Sequence, residues 1–244
     1  MSKIMGIDIS SRNSGWCVID GKELIEYNVI HPSSKMSMSQ KLNLFNGELE
    51  KIISQHKPDN IAIEDVIICR SAKTAIVLGR FNGVALRLAY AHNQKEPSLY
   101  VPSEWKKSLL GCDGSSPKAE IQLSICEYFD LIKPDRFDYY IEKVNDAKSI
   151  LASVDKGELY HLRKCLASEK RKKDSDSTKI KNIERQINKS KKSVEVDLKE
   201  RKKLMSSELE SVSLEIYSET GISDDIADSI GVALKCQSEL GELK

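Results

Sequence analysis

The first thirty residues alternate between short apolar runs and polar breaks. Residues 4–9, 15–19 and 23–30 read as three strands, apolar or alternating, with Ser11-Arg-Asn-Ser14 and Asp20-Gly21 between them. An Asp-Gly pair flanked by such runs predicts a hairpin, because glycine readily takes the positive φ of a tight antiparallel turn. The period then changes. Over 41–56, Leu42, Leu44, Phe45, Leu49, Ile52 and Ile53 recur at helical spacing, and Lys57-Pro-Asp stops the helix. Residues 60–63 form a short buried strand ending at Glu64. A second helix is predicted over 73–92, with Ile76, Val77, Leu78, Val84, Leu86 and Leu88 on its apolar side. Its Gly79 and Gly83, four apart, share a face and would let another backbone approach closely. Residues 98–101 are a fifth strand closed by Pro102, 111–117 a loop, and 118–129 a helix.

Grouped strands followed by strands alternating with helices predict an α/β fold with a mixed five-stranded sheet flanked by helices. The leading hairpins should be antiparallel and the fourth and fifth strands parallel. Ligands gather at the carboxyl ends of the strands in such sheets, where Asp8 and Glu64 both fall. From about 133 to 216 the pattern changes again. Pro and Gly almost vanish, Lys, Glu and Ser dominate, and apolar residues return at three- and four-residue intervals. One run holds Val144, Ala147, Leu151 and Val154, and a longer one extends from Ile180 to Ile216, with 173–178 as the turn between them. This predicts an inserted antiparallel helical hairpin, partly coiled-coil, whose seam is interrupted at Ser190 and Arg201. The expected division is a discontinuous sheet domain, 1–132 and 217–244, carrying an insertion at 133–216. A last helix over 224–237 has Ser223 as its N-cap and Asp224 and Asp225 at the positive end of its dipole.

The formal net charge of +1 conceals an asymmetry. Between Glu169 and Lys203 there are 14 Lys or Arg and 7 Asp or Glu, an excess of +7, which leaves about −6 for the rest of the chain. A basic segment on an acidic body suggests a polyanion for the first and metal chemistry for the second. The plain alternative for the segment is a solvated helix, or a coiled coil that docks a partner. Six cysteines lack any CxxC spacing, and most have apolar neighbours, as expected of small core residues in a reducing compartment. Neither a membrane-spanning run nor a signal-peptide pattern is present, so an intracellular protein, cytoplasmic rather than secreted, is expected.

Carboxylates carry the chemistry. Asp8 and Glu64 end buried strands, and Asp225 and Asp228, three apart, leave one face of the last helix. An acid in such a place is unfavourable unless positive charge meets it, and several converging acids suit a hard divalent cation. Metal-assisted phosphodiester hydrolysis is the chemistry implied. Asp65 and Asp224 adjoin these acids in sequence and are expected to point elsewhere.

Six fragments in order complete the picture: Gly6-Ile-Asp8, Ser14-Gly-Trp16, Ile63-Glu64-Asp65, Leu78-Gly-Arg-Phe-Asn-Gly-Val-Ala85, the stretch from Val101 through Lys106 and Gly111 to Lys118, and Asp225-Ile-Ala-Asp228-Ser-Ile-Gly-Val-Ala233. Together they resemble RuvC-type Holliday-junction resolvases of the RNase H-like nuclease superfamily. The resemblance implies an RNase H-like sheet and Mg²⁺-dependent cleavage of branched DNA, four-way junctions above all, by a homodimer. Two Mg²⁺ ions, with Mn²⁺ as a substitute, would be bound by Asp8, Glu64, Asp225 and Asp228, with Asp8 between them. Lys118 would act beside the scissile phosphate. Lys106, its competitor Lys107, Lys118, Arg70 and Lys73 would contact nucleic acid. Two departures stand out: Asp65-Val-Ile-Ile-Cys69 lacks the family's junction-inserting aromatic, and the insertion replaces a short connection. Other readings are a related nuclease acting on flaps or RNA–DNA hybrids, and an actin- or sugar-kinase-like ATPase. The ATPase needs a second glycine-rich phosphate-binding hairpin, and no such motif follows residue 130.

Overall fold

A computed structural model describes residues 2–65, 71–109, 112–113, 116–152, 157–170 and 177–242. Five strands, β1 (Lys3–Asp8), β2 (Ser14–Asp20), β3 (Glu23–Ile30), β4 (Asn60–Glu64) and β5 (Ser98–Tyr100), form one sheet in the order β3-β2-β1-β4-β5. β1 pairs antiparallel with β2, and β2 with β3, while β4 runs parallel to β1 and β5 parallel to β4. The predicted Asp20-Gly21 hairpin is formed, and Gly21 takes φ +61° in its turn. This is the mixed five-stranded sheet, antiparallel among β1–β3 and parallel at β4 and β5, that the pattern of strands and helices predicts.

The sheet separates two layers because its residues alternate. Met5, Ile7, Trp16, Val18, Ile61 and Ile63 bury one face against α1 (Met38–His56) and α2 (Ala72–Asn93), which contribute Phe45, Leu49, Phe81 and Ala85. Helix α1 starts three residues earlier than its apolar period suggests. Ser37 accepts from the Gln40 amide, and the Gln40 side chain accepts from the Ser37 amide, which closes a capping box. In α2 the buried positions are Phe81, Asn82, Ala85, Leu88 and Ala89, with Val77, Val84 and Leu86 of the predicted side packed partly buried beside them, while Ile76, 58% exposed, faces out. Gly79 and Gly83 lie on the open side, with no atom of a described residue within 4 Å of where a side chain would start. No described residue of this chain makes the close backbone approach there.

The opposite face of the sheet is built for close approach. Helix α8 (Asp224–Glu239), capped by Ser223, crosses it over Gly6 and Gly15. A Cβ at Gly6 would fall on the Ser229 carbonyl, and one at Gly15 on the Asp225 carbonyl. Only residues without side chains let the helix lie this near. Helix α4 (Lys118–Tyr128) packs beside α8, and Gln122 Nε2 donates to the Ile222 carbonyl at 2.8 Å. After β5, Pro102 does more than end the strand: it opens a short helix, α3 (Pro102–Trp105), followed by a 3₁₀ turn at Lys106–Ser108. Cys17, Cys126 and Cys236 are buried and Cys112 half-buried, as core cysteines should be, but Cys165 is exposed and Cys69 lies outside the described residues.

The chain divides into two compact units, Met1–Ile141 with Ser213–Lys244, and Glu142–Val212. In the first, Arg136 donates to Glu219 and stacks on Tyr139 and Tyr140, whose hydroxyl also donates to Glu219. The second unit is all helical among its described residues. Among its described residues the insertion holds α5 (Pro134–Ala152), α6 (Gly157–Lys170) and α7 (Ser177–Thr220), helical throughout as predicted, with residues 153–156 between the first two outside the described residues. Lys170 pairs with Glu184, and Arg201 Nη1 reaches the Ile150 carbonyl, so α7 runs antiparallel to α6 and to the end of α5. The predicted turn at 173–178 falls largely outside the described residues, and its last two residues already belong to α7. Ser190, a gap in the apolar period, is buried.

Candidate active site

Strand register fixes the first two acids. Ile7 pairs with Ile63 on parallel β1 and β4, so Asp8 and Glu64 end neighbouring strands side by side and face α8. Small residues at Gly6 and Gly15 let the first turns of α8 come down on that face. Asp225 and Asp228 arrive with it, three apart and on one side of the helix. All four predicted acids therefore meet at the carboxyl ends of the central strands.

Their electrostatics record the crowding. Burial raises the Asp8 carboxyl well above the ordinary range, and Glu64, Asp228 and Asp225 raise it further, with only Lys118 opposing. Burial and then Asp228 push Glu64 up to about 7, against a hydrogen bond from Trp105 and the charge of Lys106. Burial lifts Asp228 to about 6, restrained chiefly by Lys106. Burial and then Asp224 raise Asp225, while Lys118 and the Asn13 amide pull it down. Among the described residues no protein hydrogen bond reaches the Asp8 carboxylate, and no three acid, imidazole or thiol groups close into a ready-made ion cage. The acids share a field rather than a coordination shell, because like charges resist closer approach.

The donor set fits a hard divalent cation. All four candidates are carboxylate oxygens, with no thiolate or imidazole among them. Mg²⁺ retains several waters and takes one or two carboxylates directly, which suits acids gathered but not closed together.

Basic residues divide by position. Lys118, at the start of α4, donates to Asp224, whose other oxygen accepts from Ser213 Oγ at 3.0 Å. The Asp224 hydrogen bond raises the Lys118 ammonium above its usual range, so it stays charged. Asp224 thus belongs to the site, contrary to expectation: as the first residue of α8 it turns toward α4 and anchors Lys118. Lys106 stands near enough to Glu64 and Asp228 to stabilise both anions and lies over the Trp105 ring. Lys107 and Lys73 are exposed, and Arg70 lies outside the described residues. Trp105, unforeseen in the sequence, is fully buried and donates from Nε1 to Glu64 Oε2 at 3.0 Å. A tryptophan just after a strand-ending proline is a visible signal, but nothing in the sequence indicates which acid it meets.

The mixed sheet thus gathers four acids at the carboxyl ends of its central strands, an arrangement suited to a hard divalent cation. A family model described as crossover junction endodeoxyribonuclease RuvC matches residues 4–137, just over half of the chain, and the protein belongs to that family. The match covers Asp8 and Glu64 and stops before α8. Crossover junction endodeoxyribonuclease RuvC of Ruminiclostridium cellulolyticum is 34% identical over 139 residues, covering 54% of this chain and 82% of the relative. The protein of the same name from Natranaerobius thermophilus is 30% identical over 165 residues, covering 66% and 97%. Among solved structures, T. thermophilus RuvC in complex with a Holliday junction substrate aligns with TM-score 0.48 and 18% identity, over 55% of this chain and 82% of that one.

Proposed function

We propose that the protein is a Mg²⁺-dependent endonuclease that resolves four-way DNA junctions by hydrolysing one phosphodiester at each of two sites in a homodimer. The reading rests on one observation: carboxylates from three distant segments share one face of the sheet, with Lys118 and Lys106 beside them. Two Mg²⁺ ions, with Mn²⁺ as a substitute, would be held by Asp8, Glu64, Asp225 and Asp228, lowering the pKa of the attacking water and stabilising the departing 3′ oxygen. The protein's own groups do the rest. Lys118, held by Asp224, places fixed positive charge where charge accumulates on the scissile phosphate. Lys106 occupies the Glu64 and Asp228 side of the same cluster, Trp105 fixes the orientation of Glu64, and Lys107 and Lys73 supply exposed charge for the flanking backbone. A symmetric junction calls for two sites related by a two-fold axis, which a homodimer provides. A DNA substrate supports an intracellular location, and no described helix is long and apolar enough to cross a membrane.

The ATPase alternative loses support because every described element after β5 is helical, with no second phosphate-binding hairpin among the described residues. Asp8→Asn is the direct test. The variant should lose Mg²⁺-dependent cleavage of a four-way junction and keep its junction affinity in Ca²⁺. Undiminished cleavage would remove the assignment. A panel of junctions, flaps and RNA–DNA hybrids separates a resolvase from a related nuclease.

A further inference from the structure

Helix α7 carries its charge asymmetrically. At 3.6 residues per turn, Lys181, Arg185, Lys189, Lys192, Lys199 and Lys203 fall within a sector of about 80°. All six are exposed. They lie opposite the side that carries Ile187, Val194 and Leu198, of which Ile187 is buried and the other two half-buried. Two of the nearby acids are engaged elsewhere, Glu184 with Lys170 and Asp197 with Arg201, and the other two, Glu195 and Glu200, make no ion pair with another described residue. None of the six cations makes an ion pair with another described residue.

We propose that this face of α7 is a binding surface for the phosphate backbone of duplex DNA. The six charges extend over about 33 Å at 1.5 Å per residue, close to the roughly 34 Å of one duplex turn. Such a row matches a polymer that carries one negative charge per ~1.7 Å of axis. A protein partner fits less well. Between Lys181 and Lys203 the face bears a single apolar residue, Val196, so it offers no second seam for another helix. A merely solvated face would mix both signs, whereas here only Glu200 falls at the sector's edge. The inference rests on the nuclease reading for naming DNA as the polyanion; the charge row itself is independent of it.

The test replaces all six residues by Gln in the full chain and measures binding of a four-way junction in Ca²⁺ between 50 and 300 mM salt. Each lost phosphate contact removes about 0.9 from the slope of log K against log salt. The expected result is a slope shallower by roughly 3 to 5 and, at physiological salt, a Kd raised at least tenfold. Two triple variants, K181Q/R185Q/K189Q and K192Q/K199Q/K203Q, guard against misfolding, each expected to lower the slope by about 2. Arg at the five lysine positions should restore both slope and affinity. Unchanged slopes overturn the proposal, as does loss of self-association with the slope intact, which would make the face a protein interface. Cleavage by the unmodified chain in Mg²⁺ is scored alongside. An arm-dependent slope without cleavage sinks the nuclease reading alone, and cleavage with an arm-independent slope sinks the arm alone.

Discussion

The Trp105 indole donates to Glu64 at 3.0 Å, so a residue of the short helix after β5 holds an acid at the end of β4. Glu64 has rotatable bonds that Asp8 lacks, and an acid surrounded by like charges swings away unless something restrains it. Trp105 supplies that restraint, and its own ring is locked against α8 at Gly231. Trp105→Phe keeps most of the apolar ring and removes the donor. Turnover is expected to fall about tenfold, in line with the roughly 1.5–3 kcal/mol of a hydrogen bond to a charged group. Half-maximal Mg²⁺ should rise, while junction affinity in Ca²⁺ stays within twofold. Unchanged Mg²⁺ dependence would leave Trp105 a packing residue only.

Asp224 and Ser213 form a second restraint, this time on Lys118. Asp224→Asn leaves the helix cap of Ser223 in place and removes the charge that fixes the ammonium. Cleavage at saturating Mg²⁺ should fall several-fold, less than in Lys118→Ala. Combining the two changes should add little to Lys118→Ala alone, because both act through one group. Full additivity in that double-mutant cycle would separate Asp224 from Lys118.

The raised acids make a stability prediction with a definite sign. Glu64 is lifted to about 7 and Asp228 to about 6, so both bind protons more tightly folded than unfolded. Their protonation favours the fold at low pH, and that advantage is lost as pH climbs through the folded values. In EDTA the Tm should therefore drop between pH 5 and pH 7.5, by at least about 5 °C given ~1.4 kcal/mol per pKa unit and ~2–4 °C per kcal/mol. Mg²⁺ should recover more of the loss at pH 7.5 than at pH 5, and Glu64→Gln should flatten the metal-free profile. A metal-free Tm that rises over this interval contradicts the electrostatics of the cluster.

These relationships divide into those the sequence displays and those it hides. Asp8 and Glu64 end apolar runs, and strand register alone makes them neighbours, so they are legible from period-two patterning. Asp225 and Asp228 share a face by helical spacing, but their arrival at the sheet depends on Gly6 and Gly15, whose role is tertiary. Asp224 misleads because its neighbour Asp225 claims the site, while the helix start sends Asp224 toward α4. The apolar side of α2 misleads for another reason. Ile76 is hydrophobic without being buried, Val77, Val84 and Leu86 pack only partly, and the deepest positions set Phe81, Ala85 and Ala89 beside the predicted Leu88. The insertion reads as helical from its composition, and residues 153–156 between α5 and α6 hold neither proline nor glycine, so nothing in the sequence pattern separates the two helices.

Gly15 is where packing and chemistry meet most directly. It pairs with Asp8 across β1 and β2, and a Cβ there would stand 1.9 Å from the Asp225 carbonyl oxygen and 3.0 Å from the Ile226 nitrogen. Neither neighbour is a flexible side-chain tip. β2 is clamped between β1 and β3, so the first turn of α8 has to move, carrying Asp225 with it. Gly15→Ala should destabilise the protein by about 1–3 kcal/mol or more, the usual cost of overpacking. Activity should fall further than the unfolded fraction explains, because the surviving fold carries a displaced acid. Gly47→Ala is the matched control: it lies within α1, and beyond the helix's own backbone no atom of a described residue lies within 4 Å of its would-be Cβ. There alanine should stabilise by roughly 0.5–1 kcal/mol through helix propensity and leave cleavage untouched. Thermal melts and single-turnover cleavage on both variants decide the matter, and a Gly15→Ala protein with normal Tm and normal rate would mean that α8 does not seat on the sheet at this point.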